Sequence, residues 1–277
     1  MIIDSHQHFW NYDPIKDSWI DDSMSVLKRD FLPKTLKEIY KMNSVYGCVS
    51  VQADQSEKET VFLLNHASKN SFIKGIVGWL DIKSPKLDEL LSSYSKNPLF
   101  KGLRHIVQNE KEKDFMLNSD FQRGLNCLNK YSLTYDILIK HNQMDQTIKM
   151  VKRNPNQIFI LDHIGKPNIL KKVDPLWKKN ILKLSSFENV YCKVSGLVTE
   201  TKFLKWNIDD FSPYLEMVFD AFGIDRIMYG SDWPVCLLAS NFKDTLDILN
   251  YHISSFSDNE KNKIMSLNAI KAYDLSI

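Results

Sequence analysis

Two short segments near opposite ends of the chain carry most of its chemistry: Asp4-Ser5-His6-Gln7-His8 and Gly230-Ser231-Asp232-Trp233-Pro234. Each follows an apolar run of strand character, so each sits where a strand stops. Successive side chains of a strand point to opposite faces, so His6 and His8 project together with one residue between them. Two imidazoles placed in this way meet one metal ion or one substrate. A third histidine, His163, closes another apolar stretch, and Asp232 supplies a carboxylate. Neutral imidazoles with a carboxylate are the ligand set of zinc or a similar divalent ion, with one position left open for water. Such an ion lowers the water pKa towards about 7 and polarises a carbonyl, and Asp232 would accept the water proton. His6, His8, His163 and Asp232 are therefore both the expected metal ligands and the expected catalytic groups.

These residues are far apart in sequence, and the elements between them must bring them together. Strand-like stretches run over 2–8, 46–53, 73–82, 100–107, 133–140, 157–163, 190–196 and 226–232. Amphipathic stretches separate them, such as Leu36, Ile39 and Tyr40 or Phe242, Leu246 and Leu249. Breakers fall at Ser84-Pro85, Asn154-Pro155-Asn156 and Asp258-Asn259, the last before a final helix ending near Tyr273. Eight such pairs suit either a closed (β/α)8 TIM barrel or a long open sheet. No G-x-G-x-x-G turn or P-loop gives a nucleotide-binding reason for an open sheet. Closure also makes the first and last strands neighbours, which is what His6, His8 and Asp232 require. The barrel is the expected fold.

In such a barrel the active site lies at the C-terminal ends of the strands. Arg104 and His105 end the fourth strand and cannot both face inward if it is regular. A guanidinium suits a carboxylate or an array of sugar oxygens, or else pairs with an acidic residue of the rim. Trp10, Trp79 and Trp233 offer flat walls for the C–H face of a sugar ring, although tryptophans at a barrel mouth also pack loops onto strands. These five are the expected substrate-binding residues. His141, just past the fifth strand, is placed where it could join them, whereas His66 and His252 belong to helix surfaces. The connection from His8 to Pro33, with Trp10, Tyr12 and Trp19, is long enough to be functional and is expected to fold over as a lid.

With 277 residues, 43% of them hydrophobic, the chain suits one domain over 1–277 with a sizeable core. The formal net charge of +2 is scattered, so no nucleic-acid partner is expected. No apolar run approaches the ~20 residues of a membrane helix, and the first residues have no basic leader; a soluble, cytoplasmic protein is expected. The four cysteines, without C-x-x-C spacing, suit reduced, buried positions. Oligomeric state is not written in the pattern, and a homodimer is left open.

Several motifs in order give the chain a family likeness. Asp4 to Trp10, Leu27 to Pro33, Val51-Gln52-Ala53, Phe100 to His105, Leu161-Asp162-His163-Ile164-Gly165-Lys166-Pro167 and Tyr229 to Pro234 resemble the amidohydrolase-related (amidohydrolase 2) family, in its branch of sugar lactonases such as L-fuconolactonases and L-rhamnonolactonases. The resemblance implies a (β/α)8 barrel and hydrolysis of a C–O or C–N bond beside a carbonyl. It implies His6, His8 and His163 as ligands or polarising groups, Asp232 as the base, and Arg104 and His105 as substrate contacts. Many relatives place a carboxylated lysine at the end of strand four; Arg104-His105 there implies one divalent ion, zinc, rather than two. Members that work without a metal leave a second mechanism open, in which His6, His8, His163 and Arg104 stabilise the oxyanion by hydrogen bonding. The leading expectation is opening of an aldonolactone. The alternative is a dicarboxylate lactonase or metal-dependent decarboxylase, which would need more arginines at the mouth. A barrel without catalysis would lack one of these groups, and none is missing.

Overall fold

The structure is a computed structural model that describes residues 1–169 and 172–277. Eight parallel strands lie in sequence order: β1 (Ile3–Gln7), β2 (Gly47–Val51), β3 (Ile73–Gly78), β4 (Phe100–His105), β5 (Thr134–Ile137), β6 (Phe159–Leu161), β7 (Val190–Val194) and β8 (Ile227–Tyr229). Helices alternate with them, from Pro33–Met42 after β1 to Phe242–His252 after β8. This is the (β/α)8 barrel expected from the sequence, with each strand inside its predicted stretch.

The helices start where side chains satisfy their first N–H groups. Ser56, Asn118, Asp174 and Asn241 each accept a bond from the first turn of the helix that follows. The buried strands are apolar runs because a helix layer covers one face and the barrel core fills the other. Ile3, Val49, Val51, Val77, Ile160, Tyr191 and Met228 fill that core, joined by Ala269, Tyr273 and Leu275 from the chain's end. The expected C-terminal helix is present as Asp258–Asn262 and Asn268–Ala272, with a π-helical turn between.

The seam between β8 and β1 sets the site. The Asp232 N–H donates to the His6 carbonyl at 2.8 Å, and the His8 N–H donates to the Trp233 carbonyl at 2.7 Å. Below them Asp4 accepts from the Ser231 N–H at 2.8 Å and from the Ser231 hydroxyl at 2.6 Å. The register slips between Asp4 and Gln7. Such an irregularity re-aims side chains, so Ile3 and His6 both face the interior while Asp4 reaches outward to the Tyr40 hydroxyl at 2.9 Å. Gly230 is needed here, because a Cβ on it would stand 2.7 Å from that of His6.

The long connection after β1 is folded rather than loose. Trp10 and Phe31 exchange backbone hydrogen bonds of 3.0 and 2.9 Å, closing the loop at its base, and a 3-10 helix (Asp22–Leu27) lies between.

Candidate active site

A cavity of about 310 Å³ opens at the C-terminal ends of the strands, lined by His8, Arg104, His163 and Asp232 with Trp10, Trp19, Ala53, Ile106 and Val235 as apolar wall. That is the size of a pocket for a small molecule. His6 lies just beneath, fully buried.

The three imidazoles are each anchored through Nδ1. His8 Nδ1 lies 2.8 Å from the Val51 carbonyl, to which it can only donate. His163 Nδ1 lies 2.9 Å from the Ser195 hydroxyl. His6 Nδ1 lies 3.2 Å from Asp162 Oδ1. Lys193 Nζ also stands 3.1 Å from that nitrogen, and Arg104 stands 3.2 Å from Nε2. Both neighbours are pure donors and a neutral imidazole accepts at one nitrogen only; with the hydrogen on Nδ1, on the Asp162 side, Nε2 is the nitrogen that accepts, and Arg104 stands at its edge. The His6 ring centre is 4.9 Å from that of His8 and 4.5 Å from that of His163. Gly196, at φ 61°, makes room for this: a Cβ there would stand 2.4 Å from His163 Nδ1.

Asp232 closes the group. Its Oδ1 is 3.4 Å from His8 Nε2 and 3.7 Å from His6 Nε2. With Nδ1 of His8 protonated, Nε2 and the carboxylate oxygen are two lone pairs facing one another, which is unfavourable without a positive group between them. A tetrahedral zinc shell with bonds of about 2.0–2.1 Å separates its ligands by roughly 3.3 Å. The donor types, their spacing and the anchoring of each distal nitrogen therefore fit a divalent ion held by His6, His8 and Asp232. His163 belongs to a second triple with His6 and Asp162. Arg104 borders both groups, but Lys193 also reaches His6 Nδ1 and Asp162 of the second, so the first is the better cation site.

Burial and charge set the protonation states. Burial pushes His6 well below the usual imidazole range, although Asp162 opposes it. Burial likewise pushes His163 down to about 4, opposed by Asp232 and Asp162. Burial alone would raise Asp232, but His163, His8 and His6 outweigh it and hold the carboxyl below its usual range. At neutral pH the site thus presents neutral His6 and His163 around an ionised carboxylate.

Under this layer lies a buried ionic cluster. Lys193, fully buried on β7, pairs with Asp136 of β5 at 2.5 Å and with Asp162 at 3.0 Å. Tyr273 donates to the same Asp136 oxygen at 2.7 Å. Arg104 pairs with Asp162 at 3.1 Å and also donates to the Gln52 carbonyl. Two cations meet two carboxylates, so the cluster is neutral as a unit.

Of the five expected substrate contacts, Arg104 and Trp10 line the cavity and three do not. Trp233 is buried behind the wall, packed on Phe31 at 5.3 Å. His105 and Trp79 form their own cluster: Trp79 Nε1 donates to His105 Nδ1 at 3.4 Å, and His105 Nε2 meets Glu110 at 2.7 Å. Strand alternation is the reason, since Arg104 points in and its neighbour must point out. His141 turns its Nδ1 to the Lys166 carbonyl at 3.2 Å and does not line the cavity. Lys193, Asp136, Gln52, Trp19 and Lys166 were not singled out by sequence as site residues. A lysine and an aspartate inside apolar strands were the available signal, because such groups are rarely buried unless paired.

A (β/α)8 barrel with histidines on and just after β1 and an aspartate just after β8 defines a class of hydrolase-type barrel, and the chain belongs to the amidohydrolase family, which matches residues 3–275. It is 33% identical over 99% of its length to an L-fucono-1,5-lactonase of Burkholderia multivorans, covering 96% of that protein. A second L-fucono-1,5-lactonase, from Burkholderia ambifaria, is 31% identical over 87% of the chain and 83% of its own. An amidohydrolase from Burkholderia multivorans, crystallised with bound zinc, superposes with a TM-score of 0.96 at 33% identity, each chain fully covered.

Proposed function

We propose that this protein is a lactonase that opens a sugar lactone, an aldonolactone of the L-fucono-1,5-lactone kind, in one domain spanning 1–277. The observation that carries the mechanism is the convergence of Asp232 with the Nε2 edges of His6 and His8 at the floor of the cavity. The names of the two Burkholderia lactonases support the substrate class.

His6, His8 and Asp232 would hold a divalent ion, zinc by donor type, with His163 beside them. When bound, such an ion supplies polarisation of the ester carbonyl and acidifies water. The chain's own residues do the rest. Asp232, ionised at neutral pH, takes a proton from the attacking water as general base. His163, held neutral, presents Nε2 with its ring fixed by Ser195. Arg104, clamped by Asp162 and Gln52, presents its remaining edge to the substrate oxygens. Trp10 and Trp19 cover the ring and exclude water. A dicarboxylate substrate would need several free converging cations, and among the described residues lining the cavity Arg104 is already engaged and Lys166 is the one other lysine or arginine.

The test is a pH-indicator screen of aldonolactones, with and without chelator, corrected for spontaneous opening. Acid release from a neutral six-membered deoxysugar lactone is the expected result. Release only from carboxylated substrates would overturn the substrate class.

A further inference from the structure

Residues 163–166 form a turn of the opposite hand to an ordinary helix. His163, Ile164 and Lys166 take φ of 55°, 49° and 51°, and Gly165 takes 74°. This conformation crowds Cβ against the following carbonyl in L-residues, and it persists only where surroundings over-determine it. Three contacts do so here. The Lys166 N–H donates to the His163 carbonyl at 2.8 Å, Trp177 Nε1 donates to the Ile164 carbonyl at 3.0 Å, and His141 braces the Lys166 carbonyl at 3.2 Å. The gain is direction. In a turn of about three residues, positions three apart share a side. His163 and Lys166 are so related, and both line the cavity. Aiming His163 alone needs one such residue, not four.

Lys166 also differs from the other lining cation. Arg104 is locked to a carboxylate and a carbonyl. Lys166 Nζ stands 3.7 Å from its nearest recorded counter-ion, Glu200, with side chains 21% and 23% exposed. That is an ion pair beyond hydrogen-bond distance, so among the described residues its donors make no close bond and can turn to a ligand.

We infer that Lys166 is a catalytic residue whose ammonium group hydrogen-bonds the ring oxygen of the lactone as that oxygen departs; this rests on the lactonase reading above. The water oxygen bonds to the carbonyl carbon and Asp232 takes one water proton. The ring C–O bond then breaks with its electron pair passing to the ring oxygen, whose growing charge Lys166 stabilises. That oxygen finally receives the proton held by Asp232, leaving a hydroxy acid and the starting carboxylate.

The experiment measures kcat and KM of the full chain on L-fucono-1,5-lactone, an alkoxide leaving group, and on dihydrocoumarin, a phenoxide one. Lys166→Met should lose about 10²-fold in kcat on the sugar lactone, as for a preorganised donor at a developing charge, and under about tenfold on dihydrocoumarin. Lys166→Arg should restore part of the loss. Lys166→Gly, suited to φ 51°, should lose the same activity while melting no lower than wild type, and Glu200→Gln should keep most turnover. An unchanged kcat for Lys166→Met on the sugar lactone overturns the inference by itself. So does an equal loss on both substrates, or a Glu200→Gln variant that reproduces the Lys166→Met pattern. A wild-type protein inert on every lactone would instead sink the lactonase reading, and this inference with it.

Discussion

The barrel holds two polar layers of similar composition and opposite wiring. The lower one, Lys193 with Asp136, Asp162, Arg104 and Tyr273, matches every charge to an opposite charge and meets the cavity only through Arg104. The upper one, His8, His163 and Asp232 above His6, leaves the lone pairs of His8 Nε2 and Asp232 facing each other across 3.4 Å at the floor of a cavity. A buried layer whose charges are paired contributes rigidity and register, even where single atoms such as Asp136 Oδ1 and Arg104 Nε make no hydrogen bond. A layer that is left unsatisfied, and held so by its neighbours, is where an incoming group gains most. His6 and Asp162 belong to both and couple them.

This contrast predicts that the layers fail in different ways. Asp232→Asn should cost on the order of 10³-fold in kcat on the lactone while the thermal midpoint stays within a few degrees; near-normal turnover would remove Asp232 as base. Lys193→Met should do the reverse first. It strands Asp136 in the core, leaves Asp162 with Arg104 alone, and should cost about 3–5 kcal/mol in urea unfolding, with part regained in Lys193→Met/Asp136→Asn. A loss below about 1 kcal/mol would show that the lower layer is not a paired unit.

Proton linkage sharpens the comparison. Burial holds folded His163 at about 4 against an ordinary 6.5. Above 6.5 neither folded nor unfolded chain carries the proton; as pH falls from 6.5 towards 4 the unfolded chain takes it up and the folded chain does not. Stability therefore drops through that window, by roughly 3 kcal/mol for this residue when complete. Asp4 opposes this, because burial raises its folded pKa to about 6, so the folded chain gains protons first as pH falls from 6 towards 3.8. His6, pushed down by burial as well, contributes in the same direction, so His163→Gln should remove one share and make the slope of urea midpoints between pH 6.5 and 4 shallower. A variant curve parallel to wild type would contradict the assignment.

The smallest effect concerns support of the upper layer. Ser195→Ala frees the His163 ring and should weaken zinc binding or turnover by about 10–100-fold, measured by competition with a chelating dye, without lowering stability as Lys193→Met does.

The sequence makes the eight strands legible because buried parallel strands are apolar runs between breakers. It exposes His6, His8 and Asp232 because the seam of a closed barrel joins the ends of the chain. Elsewhere its signals are incomplete. The stretch 157–163 reads as strand throughout, but β6 ends at Leu161 and the next residues turn left-handed, a conformation that β-branched Ile164 does not advertise. Lys193 and Asp136 bond across a separation of 57 residues, so their pairing has no local pattern. The tryptophans are alike in sequence, and only strand alternation and loop packing decide that Trp10 meets the cavity while Trp79 and Trp233 stand behind it.

The central claim is that His6, His8 and His163 are held through Nδ1 so that Nε2 of each is turned to the site, that of His6 beside Arg104. Long-range 15N–1H correlation of the histidine rings at pH 7.5, assigned with single His→Gln variants, tests it directly. The account predicts Nδ1–H tautomers for these three and the opposite tautomer for His105, with the Nε2 resonances of His6 and His8 moving when zinc is added. Nε2–H tautomers at His6 and His8, with no shift on adding zinc, would contradict it.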